Sequence, residues 1–142
     1  MKSDESLYHT TTINPHGMPG RAYVLGNGEL NVQVSSPRKP EEPGTNPEQL
    51  LGLAQATCLA STLQTIQEGR GIEYQSEVRV GVDLKYDTHG LRFVIEVQAR
   101  IPNVEPEEAQ KQLDFAESRC PVSKLLSGNE DVSVKLVDKF TV

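Results

Sequence analysis

GTNPEQLLGLAQATCLASTLQTI, Gly44–Ile66, opens with the start of a helix and carries in its middle one of the two cysteines of the chain. Thr45 or Asn46 can cap the helix, and Pro47 suits its first turn. Thr45 and Glu48 also have the spacing of a capping box. Leu50, Ala54, Thr57, Cys58 and Ser61 recur at helical steps, with Leu53, Ala56, Ala60 and Leu63 beside them. A helix small or apolar on most of its circumference is expected to be central and buried. It is expected to end near Gly69-Arg70-Gly71. Cys58 is then either a small core hydrophobe or a nucleophile, and periodicity alone leaves both open.

On the N-terminal side, residues 7–13, LYHTTTI, read as a strand, and NPHGMPG (14–20) as a turn-rich loop. RAYVLGNGELNVQV reads as two short strands around Gly26-Asn27-Gly28. SSPRKPEEPG (35–44) is a proline-rich, charged connector. After the helix, Val78, Val80, Val82, Leu84 and Tyr86 alternate with polar residues over 73–87. Leu91, Phe93, Ile95, Val97 and Ala99 do the same over 91–101, giving a long hairpin about Thr88-His89-Gly90. A second helix runs through NVEPEEAQKQLDFAESRC, with Ala109, Leu113, Ala116 and Cys120 as its inner stripe. Pro121 interrupts it, VSKLL resumes a short turn of helix, and residues 131–142 supply a last strand. The expected class is α+β, antiparallel sheets packed with two main buried helices, in a single domain over residues 1–142.

Fourteen basic residues against twenty acidic ones leave a net charge of −6. That balance argues against a nucleic-acid or anionic-membrane surface. No window approaches the ~20 apolar residues of a membrane span, and MKSDESLYHTTT lacks an apolar signal core. The expected setting is cytoplasmic, where thiols stay reduced. An apolar fraction of 36% without tryptophan is modest, so a second core shared across a dimer would help.

The two thiols lie on the inner faces of two helices that must pack together, so their sulfurs can meet. There is no C-x-x-C, and His9, His16 and His89 have no ligand spacing, so neither a metal nor a cofactor is expected. A thiol reacts as its thiolate, and Cys58 sits too deep in its helix to profit from the N-terminal dipole. It needs a cation: Arg38 and Lys39 stand just before the helix, and Arg21 precedes the second strand. Arginine suits best, with Glu48 able to take its other prong. Glu48 and Cys58 are ten residues apart, however, or about 15 Å along an ideal helix. Either the helix bends or the two meet across a dimer.

GTNPEQLLGLAQATC and CPVSKLL, at this separation and with this order of strands, resemble the OsmC/Ohr family of cysteine-based peroxidases over nearly the whole chain. The chain is more similar to the OsmC branch. Ohr-like proteins carry their arginine in a GGRDG-type loop, whereas this loop reads HGMPG, with Met18 at that place. OsmC-like proteins carry it seven residues ahead of TNPE, where this chain has Arg38. Arg21 is the runner-up. The resemblance implies that Cys58 is the thiolate that attacks a hydroperoxide, Cys120 the thiol that closes a disulfide with it, and Arg38 and Glu48 the pair that activates it. It also implies an intertwined homodimer and an external dithiol as reductant. A dithiol redox sensor or reductase without peroxide turnover is the alternative.

Overall fold

The computed structural model describes residues 4–26 and 29–142. Met1–Ser3 of the N-terminal segment, and Asn27 and Gly28 of the expected hairpin turn, lie outside them. The chain forms two compact units, Met1–Pro47 and Glu48–Val142.

The first unit is a three-stranded antiparallel sheet in the order β1 (Thr12–Ile13), β2 (Gly20–Val24), β3 (Asn31–Val34). The strand expected over 7–13 shrinks to its last two residues. Leu7 is 100% and Tyr8 81% exposed, and strand propensity without a face to bury builds no strand. In the loop that follows, Asn14 Oδ1 accepts the N–H groups of His16 and Gly17, an Asx turn. At the end of the proline-rich connector the chain folds back beside β3: Thr45 N–H donates to Gln33 O, and Ser35 N–H to Thr45 O. Gly44 permits this approach, since a Cβ there would stand 2.9 Å from Gln33 O at a φ of 140°. This return ends two residues before Pro47, where the long helix begins.

The second unit contains α1 from Glu48 onward (Pro47–Gly69), β4 (Glu77–Asp87), β5 (Gly90–Arg100), α2 (Pro106–Arg119), α3 (Pro121–Leu126) and β6 (Val132–Leu136). β4 and β5 pair antiparallel along their full length, from Glu77↔Arg100 to Asp87↔Gly90. β6 pairs with β5 in parallel, Ile95↔Val132 to Ala99↔Leu136. The second sheet is thus mixed, which corrects the expectation of antiparallel sheets throughout. The physical reason is the connection: β6 returns to β5 through α2 and α3, the helical crossover that a parallel neighbour requires.

The core lies between this sheet and the helices. Leu59 and Leu63 of α1, Ile95, Val97 and Ala99 of β5, and Ala109, Leu113, Ala116 and Cys120 at α2 form one buried cluster. Each fully buried leucine is worth about 1.5–3 kcal/mol. The inner stripe expected for α2 is the one observed. α1 departs from its reading. It buries a single stripe, Gln55, Leu59, Leu63 and Gln67, while Ala54, Thr57 and Ser61 are exposed and Leu53 is 65% exposed. A helix of small residues does not become buried for want of polar ones; it needs a partner on each side. Two positions of the buried stripe are glutamines, and the side-chain nitrogen of each donates to a neighbour inside. Gln67 Nε2 donates to Ser76 Oγ and to Gln112 Oε1, which pairs that amide inside the core.

Candidate active site

Pro121 creates the setting of the second thiol. Proline cannot continue α2 and disfavours helical geometry in the residue before it. Cys120 accordingly takes an extended conformation, φ −68° and ψ 119°, between α2 and α3. Its N–H still donates to Ala116 O and its carbonyl accepts from Lys124 N–H, so it ends one helix and caps the next. Its side chain turns inward and is 0% exposed.

Cys58 comes from the middle of α1, next to Leu59 and one turn after Gln55 on the core side, and is half-buried. The two free sulfurs lie 3.1 Å apart, within S–H···S hydrogen-bonding distance. The structure thus brings together the two cysteines singled out in the sequence. One is reachable from outside and one is sealed in.

Two residues that pattern reading passes over complete the cluster. Ser123 N–H donates to Cys120 Sγ at 3.5 Å. Ser123 Oγ in turn accepts from Gln55 Nε2 at 3.1 Å. Gln55 is only 1% exposed, and its Oε1 has no hydrogen-bond partner among the described residues. Gln55 and Ser123 also line a cavity of about 240 Å³ with Glu117 and Asn129. Burial, and then the nearby Asp114, push the Glu117 carboxyl above its usual range.

The pair of sulfurs shares its protons unequally. Burial pushes the Cys58 thiol up; the Val122 N–H opposes this, and Cys120, through its hydrogen bond and its charge, adds to it. Burial also pushes Cys120 up, but the Ser123 hydroxyl and N–H, the Cys58 thiol and the Val122 N–H together outweigh it and leave Cys120 lowered. Within the second unit no cation enters the balance on either sulfur. The first proton lost therefore belongs to the pair, with the charge drawn toward Cys120.

Glu48 stands in the first turn of α1, in a groove of about 600 Å³ shared with Gly52, Leu53, Ala56, Val80 and Val82. α1 runs unbroken from Pro47 to Gly69, so Glu48 and Cys58 remain about 15 Å apart in one chain. The helix does not break between them to bring them together. Arg38 belongs to the connector of the first unit, where it is exposed and its N–H donates to Ser36 Oγ. Arg21 is committed within its own sheet, donating through Nε to Asn31 Oδ1 at 2.7 Å and through a terminal nitrogen to Asn31 O at 3.1 Å. Among the described residues no group of three or more His, Cys, Asp or Glu is placed to hold a metal ion, and no helix is long and apolar enough to cross a membrane.

Residues 39–135 match the family model described as OsmC-like protein. An organic hydroperoxide resistance protein-like sequence of Staphylococcus aureus (strain MSSA476) is 31% identical over 92% of this chain and 97% of its own length. Among solved structures, a putative redox protein from Lactobacillus casei ATCC 334 is 37% identical, with a TM-score of 0.89 over 98% of this chain and 96% of its own. The organic hydroperoxide resistance protein OhrB of Bacillus subtilis is 27% identical, with a TM-score of 0.82 over 93% of this chain and 100% of its own. Relatives bearing the Ohr name lend no support to the finer placement in the OsmC branch. The described residues form an α+β fold with two sheets and three helices, and the chain belongs to the OsmC-like family.

Proposed function

We propose that this chain is a thiol-dependent peroxidase that reduces organic hydroperoxides through Cys58 and Cys120, in defence against oxidative stress. The observation that carries the proposal is the pair of free sulfurs 3.1 Å apart, one half-exposed and one sealed. The names of the relatives, organic hydroperoxide resistance proteins, agree with it.

In this reading the Cys58 thiolate attacks the outer oxygen of the hydroperoxide. The O–O bond breaks, the alkoxide leaves and takes a proton as the alcohol, and Cys58 is left as sulfenic acid. The Cys120 thiolate then attacks that sulfur, hydroxide departs as water, and the two cysteines are joined. An external dithiol restores both thiols by exchange. The electrostatics internal to the second unit favour charge on Cys120, so Cys58 needs a cation from elsewhere. Arg38 is our assignment, because it stands seven residues ahead of Thr45, on the connector that leads into α1. A guanidinium beside Cys58 both stabilises the thiolate and polarises the departing oxygen. The span between Glu48 and Cys58 along α1 makes a homodimer part of the proposal, with Glu48 of one copy orienting the arginine that serves Cys58 of the other. Residues 1–142 then act as one domain, in the reducing cytoplasm where both thiols persist.

The test follows dithiol consumption driven by cumene hydroperoxide. Cys58→Ser should abolish it. Cys120→Ser should still form sulfenic acid but recycle poorly. Arg38→Ala should lower kcat/KM by about 100-fold or more, and full activity in that variant would remove Arg38 from the mechanism. The contact of the two free sulfurs also suits one second reading, a dithiol redox sensor or reductase. It requires the same disulfide but no peroxide-dependent turnover.

A further inference from the structure

A disulfide between Cys58 and Cys120 offers an external thiolate two sulfurs to attack. The attacked sulfur must be reachable, and the other must leave as a thiolate. The two sites are unequal on both counts. Cys58 is half-exposed on α1, whereas Cys120 is 0% exposed and enclosed between two helices.

The donors are unequal too. Val122 N–H serves both sulfurs, but only Cys120 also receives Ser123 N–H, at 3.5 Å. The Ser123 hydroxyl has one hydrogen to give. Its oxygen already accepts from Gln55 Nε2 at 3.1 Å, which leaves that hydrogen for the sulfur. Gln55 lies one helical turn before Cys58 and is 1% exposed, so α1 itself fixes the amide that orients Ser123. Both Ser123 donors on Cys120 are thus set by packing rather than by solvent.

We infer that Gln55 and Ser123 hold Cys120 as the leaving thiolate and thereby direct the reducing dithiol onto Cys58. The external thiolate forms a bond to the Cys58 sulfur as the Cys58–Cys120 bond breaks, and the electron pair goes to Cys120. The second thiolate of the reductant then attacks its own sulfur in the mixed disulfide. This releases Cys58 as thiolate and oxidises the dithiol to its disulfide. Ser123 touches the departing sulfur, and Gln55 is a positioning residue that acts through it. The inference deepens the peroxidase reading and rests on it for the origin of the disulfide.

The experiment makes that disulfide without peroxide. Full-length protein is oxidised with diamide, the Cys58–Cys120 link is verified by mass, and excess cysteamine is added with rapid acid quench and peptide mapping. Cysteamine should be found on Cys58, with Cys120 free. Cysteamine on Cys120 to an equal or greater extent, or failure of diamide to form the link, overturns the inference. Ser123→Ala and Gln55→Glu should slow opening by about three- to tenfold, because a leaving thiol of higher pKa departs more slowly. Ser123→Thr, which keeps the hydroxyl, should restore the rate. An unchanged rate in Ser123→Ala also overturns it. Because no hydroperoxide is used, failure here is distinct from failure of the reduced protein to consume cumene hydroperoxide.

Discussion

Two cysteines in contact do not share a reaction evenly when one faces solvent and the other faces the core. Exposure points to Cys58 as the sulfur that meets a hydroperoxide. Hydrogen bonding points to Cys120 as the sulfur that holds charge more easily. In the proposed reaction the two facts fit successive steps: attack from outside, then closure from within. Because Cys120 raises Cys58 through its hydrogen bond and its charge, removing it should free the outer thiol. Cys120→Ser should react with iodoacetamide at Cys58 several-fold faster at pH 7, with the midpoint of the pH–rate curve moved down. A midpoint moved upward would reverse the assignment of influences. At this scale both cysteines were legible in the sequence, Cys58 among small residues in mid-helix and Cys120 as the last position of an inner stripe before Pro121. Gln55 and Ser123 were not. A glutamine in an apolar stripe reads as the outward face, and a serine after Cys-Pro-Val reads as a helix start. Only the return of α3 against α1 shows that they meet.

At the scale of elements, α1 anchors the second unit by one stripe and leaves its other flank open. Leu59 is 0% exposed within the central cluster, so Leu59→Ala should cost about 2–5 kcal/mol in urea unfolding of the reduced protein. A loss under ~1 kcal/mol would mean that α1 is not seated as described. α2 carries a smaller device. A carboxyl held above its usual range binds its proton more tightly in the folded chain than in the unfolded one. Its stabilising contribution is full below the ordinary Glu pKa of ~4.3 and is lost as pH rises through the raised value. Ionised Glu117 therefore works against folding at neutral pH. Glu117→Gln should raise Tm at pH 7 by about 1–3 °C and give no gain near pH ~3.5. The stripe of α2 and the β4–β5 hairpin could be read from periodicity, since helical spacing and alternation each select one face. The parallel docking of β6 could not, because alternation marks which face of a strand is buried and says nothing of its direction.

At the scale of the whole molecule, the open flank of α1 becomes the argument for a second copy. Leu53 is 65% exposed beside Gly52, Ala56, Val80 and Val82, in the groove that also holds Glu48. A homodimer that covers this face would bury that leucine and resolve the span of about 15 Å between Glu48 and Cys58. Sedimentation should give twice the chain mass of 15.6 kDa for the unaltered protein. Leu53→Glu should shift the mass toward the single chain and depress peroxidase activity with it. A monomer with full activity would remove the dimer from the mechanism. The central claim is that Cys58 and Cys120 are a redox couple opened to peroxide at Cys58. Its most direct measurement is stopped-flow mixing of reduced protein with cumene hydroperoxide, followed by mass analysis of the product. The expected result is rapid consumption of the hydroperoxide and a Cys58–Cys120 link, preceded by sulfenic acid on Cys58 that persists in Cys120→Ser. Hydroperoxide left unconsumed, with both thiols resisting alkylation until the fold melts, would contradict it.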